Sequence, residues 1–137
     1  MWPELECLAC LRSTTISDCK KSNVGYSIIC ELCESRGVKM TYEGETSRNM
    51  FLRGSEHLRQ LKNKSTNSVL FKHIVNDHPN EQNSAKFRMV KTGSFKKPLS
   101  RQINEGIRIK NAQEGTLMNS KKEFYGPSVH RIVFQTN

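Results

Sequence analysis

The 137-residue chain has no apolar run near the roughly 18 residues that a membrane-crossing helix needs, which excludes a spanning helix. Acidic residues are few: 13 Asp and Glu stand against 22 Lys and Arg, for a net charge of +9. With a pI near 9.5, that imbalance points to a polyanionic partner, nucleic acid first. Aromatic residues are also sparse. Six Phe, three Tyr and one Trp, within 35% hydrophobic residues overall, suffice for one modest core but not for two large ones. The opening stretch from Met1 to Glu6 lacks a basic patch followed by an apolar block. No secretory signal is therefore expected, and a disulfide-stapled secreted module is disfavoured with it. There is no internal repeat and no low-complexity tract. What the chain does have is five cysteines: Cys7, Cys10, Cys19, Cys30 and Cys33. They include two C-x-x-C pairs, which suit a metal in a reducing compartment better than crosslinks.

Residues 1–23 read as an irregular, Cys-rich leading segment, and 24–137 as one domain. Val24 to Cys30 reads as a strand rich in β-branched and aromatic residues, with Val24, Tyr26, Ile28 and Cys30 on one face. Glu31 to Gly37 supplies a turn that holds Cys33. Val38 to Tyr42 reads as a second strand, and the short connection allows an antiparallel hairpin that brings Tyr26 and Tyr42 to the same face. A helix is expected from about Thr46 to Lys62, with Phe51, Leu58 and Leu61 as its buried side. Arg53 and His57, four apart, share a face that looks away from the core. Ser65 to Asn67 offers caps for a second helix, which carries Leu70 and Ile74 and ends near His78-Pro79. Asn80 to Ala85 reads as a polar loop, Lys86 to Val90 as a third strand, and Thr92 to Pro98 as a basic loop with Lys96 and Lys97 at its tip. Pro98 to about Lys110 is expected as a third helix with an apolar stripe of Leu99, Ile103 and Ile107. A late apolar run, Ile132 to Phe134, can pack back onto the body.

Val24-Gly25-Tyr26, then Tyr42-Glu43-Gly44-Glu45-Thr46-Ser47-Arg48, then Arg53 and His57, resemble the signatures of a GIY-YIG endonuclease. More narrowly, the chain looks like the endonuclease domain of Penelope-like retroelements. That subgroup reads Tyr-x-Ile-x-Cys-x-x-Cys before a Tyr-Ile-Gly-Glu-Thr-x-Arg element; here Tyr26-Ser27-Ile28-Ile29-Cys30-Glu31-Leu32-Cys33 precedes Tyr42. The resemblance runs on through Arg53 to His57, Lys72-His73 with His78, Arg101 to Glu105, and Leu117 to Lys121. It covers most of residues 24–134. The departures are Val24-Gly25 in place of Gly-Ile, Glu43 in an apolar slot, and Gly106 after Glu105, where a small residue such as Ala is usual. Glu43 points to the strand face opposite Tyr42.

The resemblance implies an α/β (α+β) domain in which a small three-stranded, mainly antiparallel sheet is flanked by helices. It implies a divalent-metal-dependent nuclease that nicks double-stranded DNA. Glu105 would be the single Mg²⁺ ligand, Arg53 would neutralise a phosphate oxygen, and Tyr26 would accept the proton of the attacking water. A phenol is a weak base unless nearby cations lower its pKa, and Arg53 and the metal are expected to do so. Tyr42 would position Tyr26 or the water, His57 would touch phosphate or relay a proton, and Asn119 would order the metal end. Arg48, Lys96, Lys97, Lys121 and Lys122 suit DNA backbone contact. The nick would prime reverse transcription by an enzyme encoded upstream and covalently continuous with this chain, so that Met1 need not be a native start and the protein would act in the nucleus. Residue by residue, blander readings stand beside these. Tyr26 and Tyr42 fit ordinary strand aromatics, Arg53 and His57 a solvated helix face, Glu105 a surface carboxylate and Asn119 a cap.

Cys30-x-x-Cys33 with His73-x4-His78 has the ligand types and pair spacing of a structural zinc site, and the subgroup shares that pattern. The set Cys7, Cys10, Cys30 and Cys33 has a spacing equally suited to zinc, and Cys7, Cys10 and Cys19 suggest a second site one ligand short. Spacing alone leaves these open. A zinc-stabilised DNA-binding module without cleavage is the rival function. A bacterial-type repair or restriction nuclease shares the chemistry but lacks the Cys and His additions.

Overall fold

The computed structural model describes residues 19–81, 86–112 and 116–119. The sequence's leading segment up to residue 18, its 80–85 loop beyond Glu81, Lys121, Lys122 and the Ile132–Phe134 run lie outside the described residues. The elements are β1 (Val24–Cys30), α1 (Glu31–Ser35), β2 (Thr41–Thr46), α2 (Met50–Lys62), α3 (Val69–Asp77), β3 (Phe87–Ser94) and α4 (Pro98–Asn111). The strands form an open antiparallel sheet in the order β2-β1-β3. The expected α+β class, with three strands and flanking helices, is thus what the chain forms.

Strand β1 lies in the centre because it is apolar at nearly every position and is buried on both sides. One face carries Val24, Tyr26, Ile28 and Cys30 together with Tyr42, Phe87 and Met89. It packs under Met50 of α2 and under Leu70 and Ile74 of α3, and this is the core. Helix α2 starts where Asn49 Oδ1 accepts from Leu52 N at 2.9 Å. Helix α3 starts where Ser68 Oγ accepts from Phe71 N at 3.1 Å. The latter cap lies just past the Ser65–Asn67 stretch favoured by sequence. Helix α3 ends at His78, before Pro79, as the proline requires.

Several local expectations are corrected. The turn holding Cys33 is a short helix, α1, capped by Cys30, whose Sγ accepts from the third helical amide, Cys33 N, at 3.5 Å. The second strand starts at Thr41, not Val38, and runs on through Thr46. Glu43 and Glu45 look unlike strand residues, but each is paired with an arginine of α4. Glu43 Oε1 accepts from Arg108 Nε at 2.8 Å and from Ser27 Oγ at 2.7 Å, and Glu45 pairs with Arg101. The carboxylate in the apolar slot is therefore buried with partners, which removes the penalty of an isolated charge. Strand β3 extends to Ser94 past a bulge between Gly25 and Tyr26, so the basic loop shrinks to residues 95–97.

Helix α4 turns Arg101 inward while part of its apolar stripe stays outside, and α2 buries His57 beside Met50 while its expected stripe packs against the core. On α2 the buried residues are Met50, Gly54 and His57, while Phe51, Leu58 and Leu61 are only partly buried. On α4 they are Arg101, Gly106 and Ile109, while Leu99 and Ile107 are 56% and 51% exposed. Hydrophobic periodicity reads a face by its polarity. Here the sheet offers hydroxyls and carboxylates, so polar helix faces find partners and go inward.

Candidate active site and candidate metal centre

Tyr26 is the most central of the candidate side chains, 1% exposed in the middle of β1. Its ring lies over the backbone of Gly44, its cross-strand partner on β2. A Cβ at Gly44 would fall within 2.8 Å of three atoms of the Tyr26 phenol. Only glycine allows that approach. Because the ring is buried and hydrogen-bonded, it has no free end to give way. Gly44→Ala is expected to cost about 1–3 kcal/mol of stability and to push the Tyr26 hydroxyl out of place. Denaturant unfolding of the variant checks this, and an unchanged midpoint would show that the ring does not rest there.

Helix α2 brings Arg53 and His57 down onto that hydroxyl. Arg53 Nε donates to Tyr26 Oη at 3.1 Å, and Tyr26 Oη lies 3.0 Å from His57 Nε2. Tyr42 closes the group. Its ring centroid lies 6.4 Å from that of Tyr26 and 5.5 Å from that of His57, the latter edge to face. His57 is only 5% exposed, so the outward face predicted for Arg53 and His57 is in fact an inward one. The partners explain it, since Arg53 Nε and His57 Nε2 both meet Tyr26 Oη.

The electrostatics of this cluster follow from burial. Desolvation pushes the Tyr26 phenol up to about 12. Arg53 pulls it down by charge and hydrogen bond but does not win, and Glu105 and Glu45 push it up further. Arg53 lowers this phenol as the sequence argument expects, but burial outweighs it and the net shift is upward. Desolvation, and then Arg53, drive His57 down to about 3, so the imidazole is neutral. Burial works against the charge of Arg53, but Tyr26, Tyr42 and Glu56 more than offset it and its pKa is raised. With Arg53 donating to the phenol oxygen, the neutral imidazole either accepts the phenol proton at Nε2 or donates from Nε2 to the oxygen's other lone pair, according to its tautomer. The hydrogen bonds link Arg53, Tyr26 and His57 in one chain.

The remaining predicted residues divide. Glu105 sits half-buried on α4, next to Asn104, whose Nδ2 would be 3.1 Å from a Cβ at Gly25. Its charge is near enough to raise the Tyr26 pKa, so it belongs to the same neighbourhood. Asn119 uses its amide as a piece of strand. Its Oδ1 accepts from Glu43 N at 2.8 Å and its Nδ2 donates to Glu43 O at 2.8 Å. With the bridge of Leu117 to Thr41, it fastens the outer edge of β2 beside Tyr42. Arg48 is exposed and paired with Glu56 at 2.7 Å, and Lys96 and Lys97 are exposed in the 95–97 loop.

At the far end of β1, Cys30, Cys33, His73 and His78 come together, all buried, with their ligand atoms within 4.8 Å of one another. His78 Nε2 lies 3.2 Å from Cys33 Sγ and 3.5 Å from Cys30 Sγ, and His73 Nε2 lies 3.4 Å from Cys33 Sγ. Ordinary Zn–S and Zn–N bonds at a tetrahedral angle give an S···N edge of about 3.5 Å. The four side chains can therefore hold a zinc ion. His73 Nδ1 is 2.9 Å from Asp77 Oδ2, which directs its Nε2 toward the cluster. The buried His78 Nδ1 has no hydrogen-bond partner among the described residues. Of the alternatives left open by spacing, Cys30 and Cys33 join the histidines. Cys19 is buried and disulfide-bonded, so at this cysteine the expectation of metal rather than a crosslink is corrected; Cys7 and Cys10 lie outside the described residues.

Sequence reading missed Glu56, Asp77 and the Glu43–Arg108 pair. The first two were readable as i,i+3 and i,i+4 partners of Arg53 and His73. The third needs the tertiary fold. The chain matches no family model, no curated protein and no solved structure.

Proposed function

We propose that the chain is a divalent-metal-dependent DNA endonuclease of the GIY-YIG type that nicks target DNA. The observation that carries this reading is the hydrogen-bonded chain Arg53–Tyr26–His57 under the Tyr42 ring. It joins a cation suited to a phosphate oxygen, a hydroxyl and a neutral imidazole at one point, which is the equipment of phosphodiester hydrolysis. The order of the signature residues, closest to Penelope-like retroelements, supports the same reading. Arg53 would hold a non-bridging phosphate oxygen. In the tautomer whose Nε2 accepts, a proton taken from water by Tyr26 has a path onward to the neutral His57. Glu105 fits the role of ligand to a hard cation, being a half-buried carboxylate whose charge reaches Tyr26; the Mg²⁺ it would hold supplies charge neutralisation at the phosphate. Cys30, Cys33, His73 and His78 form a closed four-ligand set, so zinc there would be structural. In this reading the nick's 3′ hydroxyl primes reverse transcription by a domain upstream in the same polypeptide, in the nucleus.

A second reading is a zinc-stabilised DNA-binding module that does not cut. The phenol pushed up to about 12 by burial favours it, because such a group is a poor base. Supercoiled plasmid incubated with the zinc-loaded protein and Mg²⁺ separates the two. The nuclease gives nicked circles that disappear with Glu105→Ala. Retarded but intact plasmid supports the binder and removes the nuclease.

A further inference from the structure

The guanidiniums of Arg48 and Arg53 converge on a single oxygen. Glu56 Oε1 accepts from Arg48 Nη2 at 2.7 Å and from Arg53 Nη1 at 3.0 Å. The same Arg53 group reaches Tyr26 Oη through Nε. Burial raises the Glu56 carboxyl pKa, but the two arginines outweigh it and hold the group below the usual range, so it is ionised. Its side chain is 29% exposed and open to exchange with solute.

We propose that this two-arginine seat is a binding site for a DNA backbone phosphate, and that Glu56 fills it in the DNA-free protein as a displaceable stand-in. The carboxylate oxygen marks where a non-bridging phosphate oxygen sits. Both are anionic acceptors, and two guanidinium forks aimed at one point recognise either. The seat takes a phosphodiester rather than a free small anion because of its surroundings. The start of β1 and the ends of β2 and β3 lie at one edge of the sheet, where Val24 pairs with Thr46 and Ser94. Met50 N bonds Lys21 O at 2.9 Å and Phe95 N bonds Asn23 O at 2.9 Å, which ties the flanking segments together. Lys20, Lys21, Arg48, Lys96 and Lys97 are all exposed along that edge. Extended anionic backbone can meet all of them; a small anion meets only the seat. A phosphate in the seat lies against the guanidinium that holds Tyr26. The inference rests on the DNA reading for the source of the phosphate.

Anisotropy of a labelled duplex oligonucleotide, titrated with the zinc-loaded full chain without Mg²⁺, tests it. Glu56→Gln removes the competitor and is expected to tighten binding about three- to tenfold. Glu81→Gln makes the same change in net charge by breaking the surface pair with Arg36 at the other end of the sheet. It is expected to stay within about twofold of wild type, since distant exposed charges are screened. Arg48→Ala is expected to weaken binding more in the Glu56→Gln background than in wild type, where Arg48 is already engaged. Binding by Glu56→Gln equal to that of Glu81→Gln, or weaker than wild type, overturns the inference while leaving the endonuclease reading intact. A wild-type protein that binds no duplex overturns both.

Discussion

Removal of zinc is expected to lower the melting temperature by about 10 °C or more. The tetrad joins β1 and α1 to α3, elements otherwise linked through one small core. Without a metal, burial pushes the Cys33 thiol up to about 12. The four ligands then become a buried set of thiols and imidazoles with no cation to bind them, and the end of the sheet loses its fastening. Structural zinc in small domains contributes on the order of 10 kcal/mol at neutral pH, part of which this core can replace. Cys33→Ser and His78→Ala are expected to reproduce the loss, because each leaves three ligands. Metal content and thermal unfolding, measured on the same samples, check it. A purified chain that carries no zinc and melts at the same temperature in chelator would remove the metal centre.

Tyr26→Phe is expected to lower the nicking rate by about 10²–10³-fold while leaving the fold and DNA affinity nearly unchanged. The substitution keeps the ring that rests on Gly44 and packs against Tyr42 and His57. It removes only the oxygen that Arg53 and His57 share. Arg53→Ala is expected to cost a similar factor in rate and to weaken binding as well, because in the proposed reading its guanidinium serves phosphate as well as the phenol it bonds. Single-turnover nicking beside an equilibrium binding titration separates the two effects. A Tyr26→Phe protein that nicks at the wild-type rate would mean that the buried hydroxyl is only a packing group.

The sequence reveals the sheet and the metal ligands more fully than it reveals the helix faces. Alternation in Val24, Tyr26, Ile28 and Cys30 is a local property of the chain, and the strand forms where that pattern places it. The Cys and His pairs are legible for a similar reason, since two ligands separated by one turn of chain carry their geometry with them. The inward faces of α2 and α4 are not legible from periodicity. Arg53, His57 and Arg101 are polar, and what turns them inward is a set of partners on other segments: Tyr26, Glu45 and Asn23. The direction of the Tyr26 pKa shift fails in the same way. Arg53 can be foreseen as a neighbour, but the depth of burial that outweighs it cannot. Asn119 shows a further kind of gap. Its amide stands in for backbone at the edge of β2, a role set by where the chain returns rather than by residue type.

The central claim is that Tyr26, Tyr42, Arg53, His57 and Glu105 act together on a DNA phosphodiester. Its most direct test is the end chemistry of a single-turnover reaction on supercoiled plasmid with Mg²⁺. The account predicts open circles whose breaks carry a 3′ hydroxyl that a polymerase extends, from wild-type protein and not from Glu105→Ala. Plasmid that stays closed and unextendable with wild-type protein would contradict it.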